Sequence, residues 1–188
     1  VGKHIISTAL EHSSVGGALS ALQQQGCEID LVDIRRDGTL NLEQLRELLR
    51  KDTVLVAVCA VDSELGAVQP IREIADILKD YPNCRLHVDA TQAVGKTELI
   101  FDGVDTMSIA PHKFYGLNGS GLLVKKKHLV IEPQIHGGGS TTPYRSGTPA
   151  LGLAVSMETA LRLALQGQNE RVAQIAALNR RLRTELGK

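Results

Sequence analysis

The chain lacks an excess of charge of either sign: lysine plus arginine is 21, aspartate plus glutamate is 21, and the formal net charge is zero. A partner such as nucleic acid or an anionic membrane calls for a lopsided basic count, so neither is expected. Long apolar runs are lacking too; the longest, residues 54–61, is too short to span a bilayer. Cysteine is scarce. Cys27, Cys59 and Cys84 form an odd set at wide spacing, which argues against a disulfide framework and against a paired Cys-x-x-Cys metal site. With no charged segment leading into a short apolar core, no secretory leader is read, and a reducing, cytoplasmic compartment is expected. Internal repeats and low-complexity tracts are absent as well.

What is present is a globular composition: 188 residues, 43% hydrophobic and 22% charged, enough for one sizeable core. Short runs rich in β-branched residues at 5–8, 28–32, 53–60, 85–88, 106–109 and 121–125 read as strands. Helical periods fill 14–25, 42–50, 70–79, 150–166 and 169–186. Asn41 is placed to cap the second helix, with Gln44 where a capping box wants it. Pro70 suits a first helical turn, and Gly26 suits a left-handed stop. Strand and helix in alternation predict a three-layer α/β/α domain with a mostly parallel sheet. Between Asp105 and Lys125 no crossover helix fits, so antiparallel or edge pairing is expected there. Residues 132–149 are dense in Gly, Ser, Thr and Pro and read as an ordered loop or a linker. Val1 runs almost directly into the first strand without an initiator methionine, so the chain is expected to be cut from a longer protein. Two parts are expected, a domain over 1–149 and a helical tail over 150–188.

Two lysines follow strands and imply different chemistry. Lys96, in Ala90-Thr-Gln-Ala-Val-Gly-Lys-Thr97, matches a loose phosphate-binding loop. That loop needs glycine-rich backbone around a phosphate and a helix behind it; here Gly95 is the one glycine and no helix start follows. Lys113, in Met107-Ser-Ile-Ala-Pro-His-Lys-Phe-Tyr-Gly116, sits on a turn just past a strand, and Asp89 ends another strand upstream. Ligands of parallel sheets bind outside the carboxyl ends of the strands. A lysine and an acid projecting from two such ends suit pyridoxal phosphate: an amine for the aldehyde and a carboxylate for the ring nitrogen. Each residue also has a plainer reading. His12 is placed to be a polar residue at a helix start, Asp89 a cap for the segment after its strand, and Gln92 a surface residue. Lys113 with His112 could form a solvated basic turn, as lysines 125–127 do, and the three glycines 137–139 a linker. His4, His87, His128 and His136 read as structural.

Five stretches taken together resemble the large domain of cysteine desulfurases, in the class V branch of fold-type I pyridoxal-phosphate enzymes. They are Leu10-Glu-His-Ser-Ser14, Glu64-Leu-Gly-Ala-Val-Gln-Pro70, His87-Val-Asp-Ala-Thr-Gln-Ala-Val-Gly-Lys96, His112-Lys113, and the glycines 137–139 with Arg145-Ser-Gly-Thr148. They stand in the family's order and close to its spacing. The resemblance implies that Lys113 forms the Schiff base and shuttles protons, and that His12 stacks on the ring and assists proton transfer. It implies that Asp89 pairs with the ring nitrogen, that Gln92 meets the phenolic oxygen and that His112 meets the phosphate. Thr148 would reach the partner's phosphate across a homodimer. The reaction implied removes sulfur from L-cysteine, leaving alanine and an enzyme persulfide that serves a sulfur-acceptor protein, as in iron–sulfur cluster assembly. Other class V chemistry, that of an aminotransferase or a selenocysteine lyase, shares the same pocket, and a non-catalytic fragment is a further alternative. The chain departs from the family in Ala110, where a serine phosphate donor is usual, and in Ser63, where an asparagine is usual. Each lost donor costs about 1–3 kcal/mol of cofactor binding if its partner stays buried and unpaired. The nucleophilic cysteine is expected outside this chain, which is expected to be inactive alone.

Overall fold

Residues 2–139 and 142–187 are described by a computed structural model. In chain order the elements are β1 (His4–Thr8), α1 (Ser13–Gln24), β2 (Glu28–Val32), α2 (Leu42–Leu48), β3 (Thr53–Cys59), α3 (Ile71–Leu78), β4 (Arg85–Asp89), β5 (Thr106–Ile109), β6 (Leu122–Lys125), α4 (Leu151–Gln166) and α5 (Gln168–Leu186). A single 3-10 turn, Pro111–Phe114, follows β5. The sheet runs β2-β1-β3-β4-β5-β6. Its first five strands are parallel and β6 is antiparallel to β5, at the place where the chain is too short between strands for a crossover helix.

Parallel strands are covered on both faces, and β1 follows that rule: every residue from His4 to Thr8 is buried. His4 enters the core because both ring nitrogens are satisfied, Nδ1 with Thr53 Oγ1 at 2.7 Å and Nε2 with Asp30 Oδ2 at 3.0 Å. Ile6, Leu45, Ile74 and Leu86 are fully enclosed and join sheet to helices. On α3 the apolar face is Ile71, Ile74, Ala75, Ile77 and Leu78. α4 adds Ala160 and Ala164 to the same core, whereas α5 buries none of its described residues.

Local signals act largely as read. Asn41 Oδ1 accepts from the amides of Glu43 and Gln44 at 3.1 and 3.3 Å, and Gly26 adopts φ +90 after α1. Gln44 departs from the capping-box expectation. Its amide pairs with the backbone and carboxylate of Asp33 instead, tying α2 to the segment after β2, because the Asn41 amide is already bonded to the Asp33 carbonyl. Pro70 precedes the first helical residue of α3 rather than occupying it.

Gly103 is the tightest joint between α3 and the approach to β5. Its φ is +74, and a Cβ there would stand 2.5 Å from Ala75 Cβ. Gly103→Ala is therefore expected to cost about 2 kcal/mol or more, from left-handed strain plus overpacking. A urea unfolding midpoint that stays at the wild-type value would show that α3 yields freely.

Candidate functional site

A cavity of about 300 Å³ opens at the carboxyl ends of β1, β3, β4 and β5, four neighbours in the sheet. It lies in the lower part of the ~300–1,000 Å³ range of small-molecule sites. Leu10, His12 and Ser14 come from the end of β1 and the start of α1. Cys59, Val61 and Ser63 come from β3 and its exit loop, Asp89, Thr91 and Gln92 from β4, and Ala110, His112 and Lys113 from the turn after β5. The chain order of the strands reverses between β1 and β3, and a crevice opens there because the connections leave toward opposite faces.

Lys113 stands on the 3-10 turn. Pro111 starts that turn and is buried, the Lys113 amide donates to the Ala110 carbonyl at 3.2 Å, and Tyr115 closes it in the left-handed region at φ +71. Tyr115 is 97% exposed, so the strain is not repaid by burying its ring. Gly116 then lies so near Pro111 that a Cβ would be 2.7 Å from the proline Cβ. This packing holds the lysine-bearing turn against the sheet.

Asp89 is the last residue of β4. Its Oδ1 accepts from the Thr91 amide at 2.9 Å, and among the described residues its side chain makes no other hydrogen bond. The cap and the cavity-facing acid are thus one residue. His12 combines roles in the same way: it is the N-cap of α1, with Nδ1 accepting from the Ser14 amide at 3.2 Å and lying 2.8 Å from Ser14 Oγ. An amide only donates, so the neutral ring carries its proton on Nε2. Ser63 is held by the loop beneath it, where the buried Asp62 carboxylate accepts from the amides of Glu64 and Leu65.

Gln92 Oε1 accepts from Lys96 Nζ at 2.6 Å. Burial, then the nearby Lys113 charge, lowers the Lys96 ammonium from its ordinary value. Lys96 does not line this cavity; the two lysines that looked like rivals in the sequence share the wall of an adjoining one, to which Lys113 also contributes. The phosphate-loop reading of Lys96 does not hold. The amides of Ala93, Val94, Lys96 and Thr97 are bonded to carbonyls within the same turns, and the Thr91 amide is taken by Asp89. Gly95 is packed so closely against Ala164 of α4 that a Cβ there would stand 3.0 Å from the alanine Cβ, so the loop offers neither a run of free amides nor room for a phosphate.

Thr148 does not line the cavity and lies in an exposed segment. Cys59 does line it, which the sequence reading missed. The last residue of β3 is the register partner of Asp89, a relation between strands that no single stretch displays. Burial above all, then the charges of Glu11, Asp62 and Asp89, push the Cys59 thiol far up, so it stays protonated. His87, beneath the cavity, is bonded to Thr106 Oγ1 at 2.8 Å, and burial lowers its pKa against the opposing pull of Asp89.

A family model described as Aminotransferase class-V matches residues 1–188. A NifS/IcsS protein homolog of Lactobacillus delbrueckii subsp. bulgaricus is 39% identical over 184 residues, which are 96% of this chain and 48% of that protein. A protein named cysteine desulfurase IscS from Pseudoalteromonas translucida is 40% identical over 185 residues, 96% of this chain and 45% of its own. Among solved structures, a NifS-like protein superposes with TM-score 0.94 at 32% identity, covering 98% of this chain and 52% of that one. A structure titled SspA in complex with cysteine superposes with TM-score 0.80 at 28% identity, covering 92% and 52%. The chain spans about half the length of the curated relatives it matches.

Proposed function

Because the chain belongs to the class V aminotransferase family, we propose that its cavity binds pyridoxal phosphate and that the whole protein takes sulfur from L-cysteine. The observation that carries this reading is the convergence of His12, Asp89, Gln92, His112 and Lys113 on one cavity from neighbouring strand ends. The names of the relatives, and a structural neighbour solved with cysteine, support the substrate class. The donor set fits the cofactor: a primary amine for its aldehyde, a carboxylate for its ring nitrogen, an amide for its phenolic oxygen and an imidazole for its phosphate. Ala110 offers no side-chain donor, so the phosphate depends more heavily on His112.

When bound, pyridoxal phosphate supplies an electron sink that labilises bonds at the substrate amino acid. Asp89, oriented by the Thr91 amide, keeps a negative charge at the floor of the cavity for the ring nitrogen. Lys113 would hold the cofactor through its amine, and the same amine, when free, would carry protons to and from the substrate. His12 presents Nε2–H from the helix start. The net reaction breaks the Cβ–S bond of cysteine, passes the sulfur to a thiol that becomes a persulfide, and releases alanine; no outside oxidant is needed. Cys59, held as a thiol, does not serve as that acceptor. The persulfide passes onward to an acceptor protein. Exposure of Thr148 supports a role across a homodimer interface, and three free cysteines support a reducing, cytoplasmic setting.

The test is covalent trapping. Pyridoxal phosphate is added to the chain, borohydride fixes any imine, and peptides are mapped. A single modified lysine at Lys113 is expected. Label on Lys96, or scatter over lysines 125–127, would overturn the assignment.

A further inference from the structure

We infer that Glu11 is a positioning residue of the cavity: its carboxyl group takes the place of a backbone acceptor beyond the end of β1 and so sets where His12 stands. The inference rests on the reading of His12 as a group that meets the cofactor.

β1 and β3 run side by side in parallel pairing. Past Thr8 the chain turns away, and the last amide of β3, that of Cys59, faces no carbonyl from β1. Glu11 Oε1 accepts from it at 2.9 Å. The same oxygen accepts from Thr8 Oγ1 at 2.9 Å, and Thr8 Oγ1 in turn accepts from the Leu10 amide at 3.2 Å. One carboxylate oxygen thereby closes the turn between residues 8 and 11 and ties it to β3. His12 follows at once and caps α1 through Nδ1, so the clamp fixes the point from which the imidazole leaves the backbone.

The other oxygen, Oε2, is buried and has no hydrogen-bond partner among the described residues. A buried polar atom left unsatisfied is unusual in a folded protein and points to a group kept for more than stability. Burial above all, with Asp89 adding to it, raises the Glu11 carboxyl above its ordinary value. The sequence hides this residue, because a glutamate between a strand and a helix reads as solvated.

Two variants separate the acceptor oxygen from everything else. Glu11→Gln keeps Oε1, whereas Glu11→Leu removes it at similar volume. Without pyridoxal phosphate, Glu11→Gln is expected to retain wild-type hydrogen exchange at the Cys59 amide and wild-type His12 ring resonances. Glu11→Leu is expected to speed that exchange by about tenfold or more and to shift the His12 resonances. With the cofactor added, Glu11→Leu is expected to bind it about tenfold more weakly by visible absorbance, and Glu11→Gln within about twofold of wild type. Fast Cys59 exchange with unmoved His12 resonances would reduce Glu11 to a strand-end staple and overturn the proposal. Glu11→Gln behaving like Glu11→Leu would overturn it too, by placing the effect on Oε2. Should Glu11→Leu not fold, Thr8→Val removes the second tether of the same oxygen, and unmoved His12 resonances there would also overturn it. Absence of a cofactor band in the wild type would count against the proposed function, while the resonances measured without cofactor would still decide the role of Glu11.

Discussion

Lys113→Ala is expected to abolish the visible, borohydride-sensitive band that forms with pyridoxal phosphate, and Lys96→Ala is expected to leave it in place. The contrast matters because the two lysines line the wall of one cavity beside the proposed site. Any lysine forms a weak imine in solution, so the band alone identifies nothing. Lys96 is held by Gln92 on a loop that bonds the amides of Ala93, Val94, Lys96 and Thr97 internally, whereas Lys113 stands on a turn wedged by Pro111 and Gly116. Loss of the band in Lys96→Ala with its survival in Lys113→Ala would reverse the assignment.

Asp89→Asn is expected to weaken pyridoxal phosphate binding by about ten- to a hundredfold, the size of one hydrogen bond to a charged group. The variant is chosen to spare the fold. Asparagine Oδ1 still accepts from the Thr91 amide, so the turn after β4 stays closed, but the negative charge that matches a protonated ring nitrogen is gone. A thermal midpoint near wild type with weakened binding is the expected pair of results, and unchanged affinity would remove Asp89 from the site.

Much of this was legible along the chain. The strands at 28–32 and 106–109 begin and end where the β-branched runs do, because strand formation follows local side-chain pattern. The Asn41 cap and the Gly26 stop are local chemistry of the same kind. The plainer readings of His12 and Asp89, as a helix-start residue and as a cap, turn out to describe residues that also line the cavity. A motif scan treats cap and site as competing explanations; the backbone uses one side chain for both. Lys96 went the other way, since its loop has the letters of a phosphate motif but spends most of its amides on its own turns.

By itself the sequence determined the order and type of the elements, the mostly parallel layered fold and the five stretches that carry the family resemblance. These depend on periodicity, on turn residues and on motifs a few positions long, all encoded within short windows. Only the tertiary structure decided that Lys113 and Lys96 line one cavity wall, that Cys59 shares the cavity floor with Asp89, and that Glu11 replaces a missing carbonyl at the end of β3. Those facts depend on sheet order and register. Both are set by which buried faces pack together across the whole chain, so no local stretch of residues contains them.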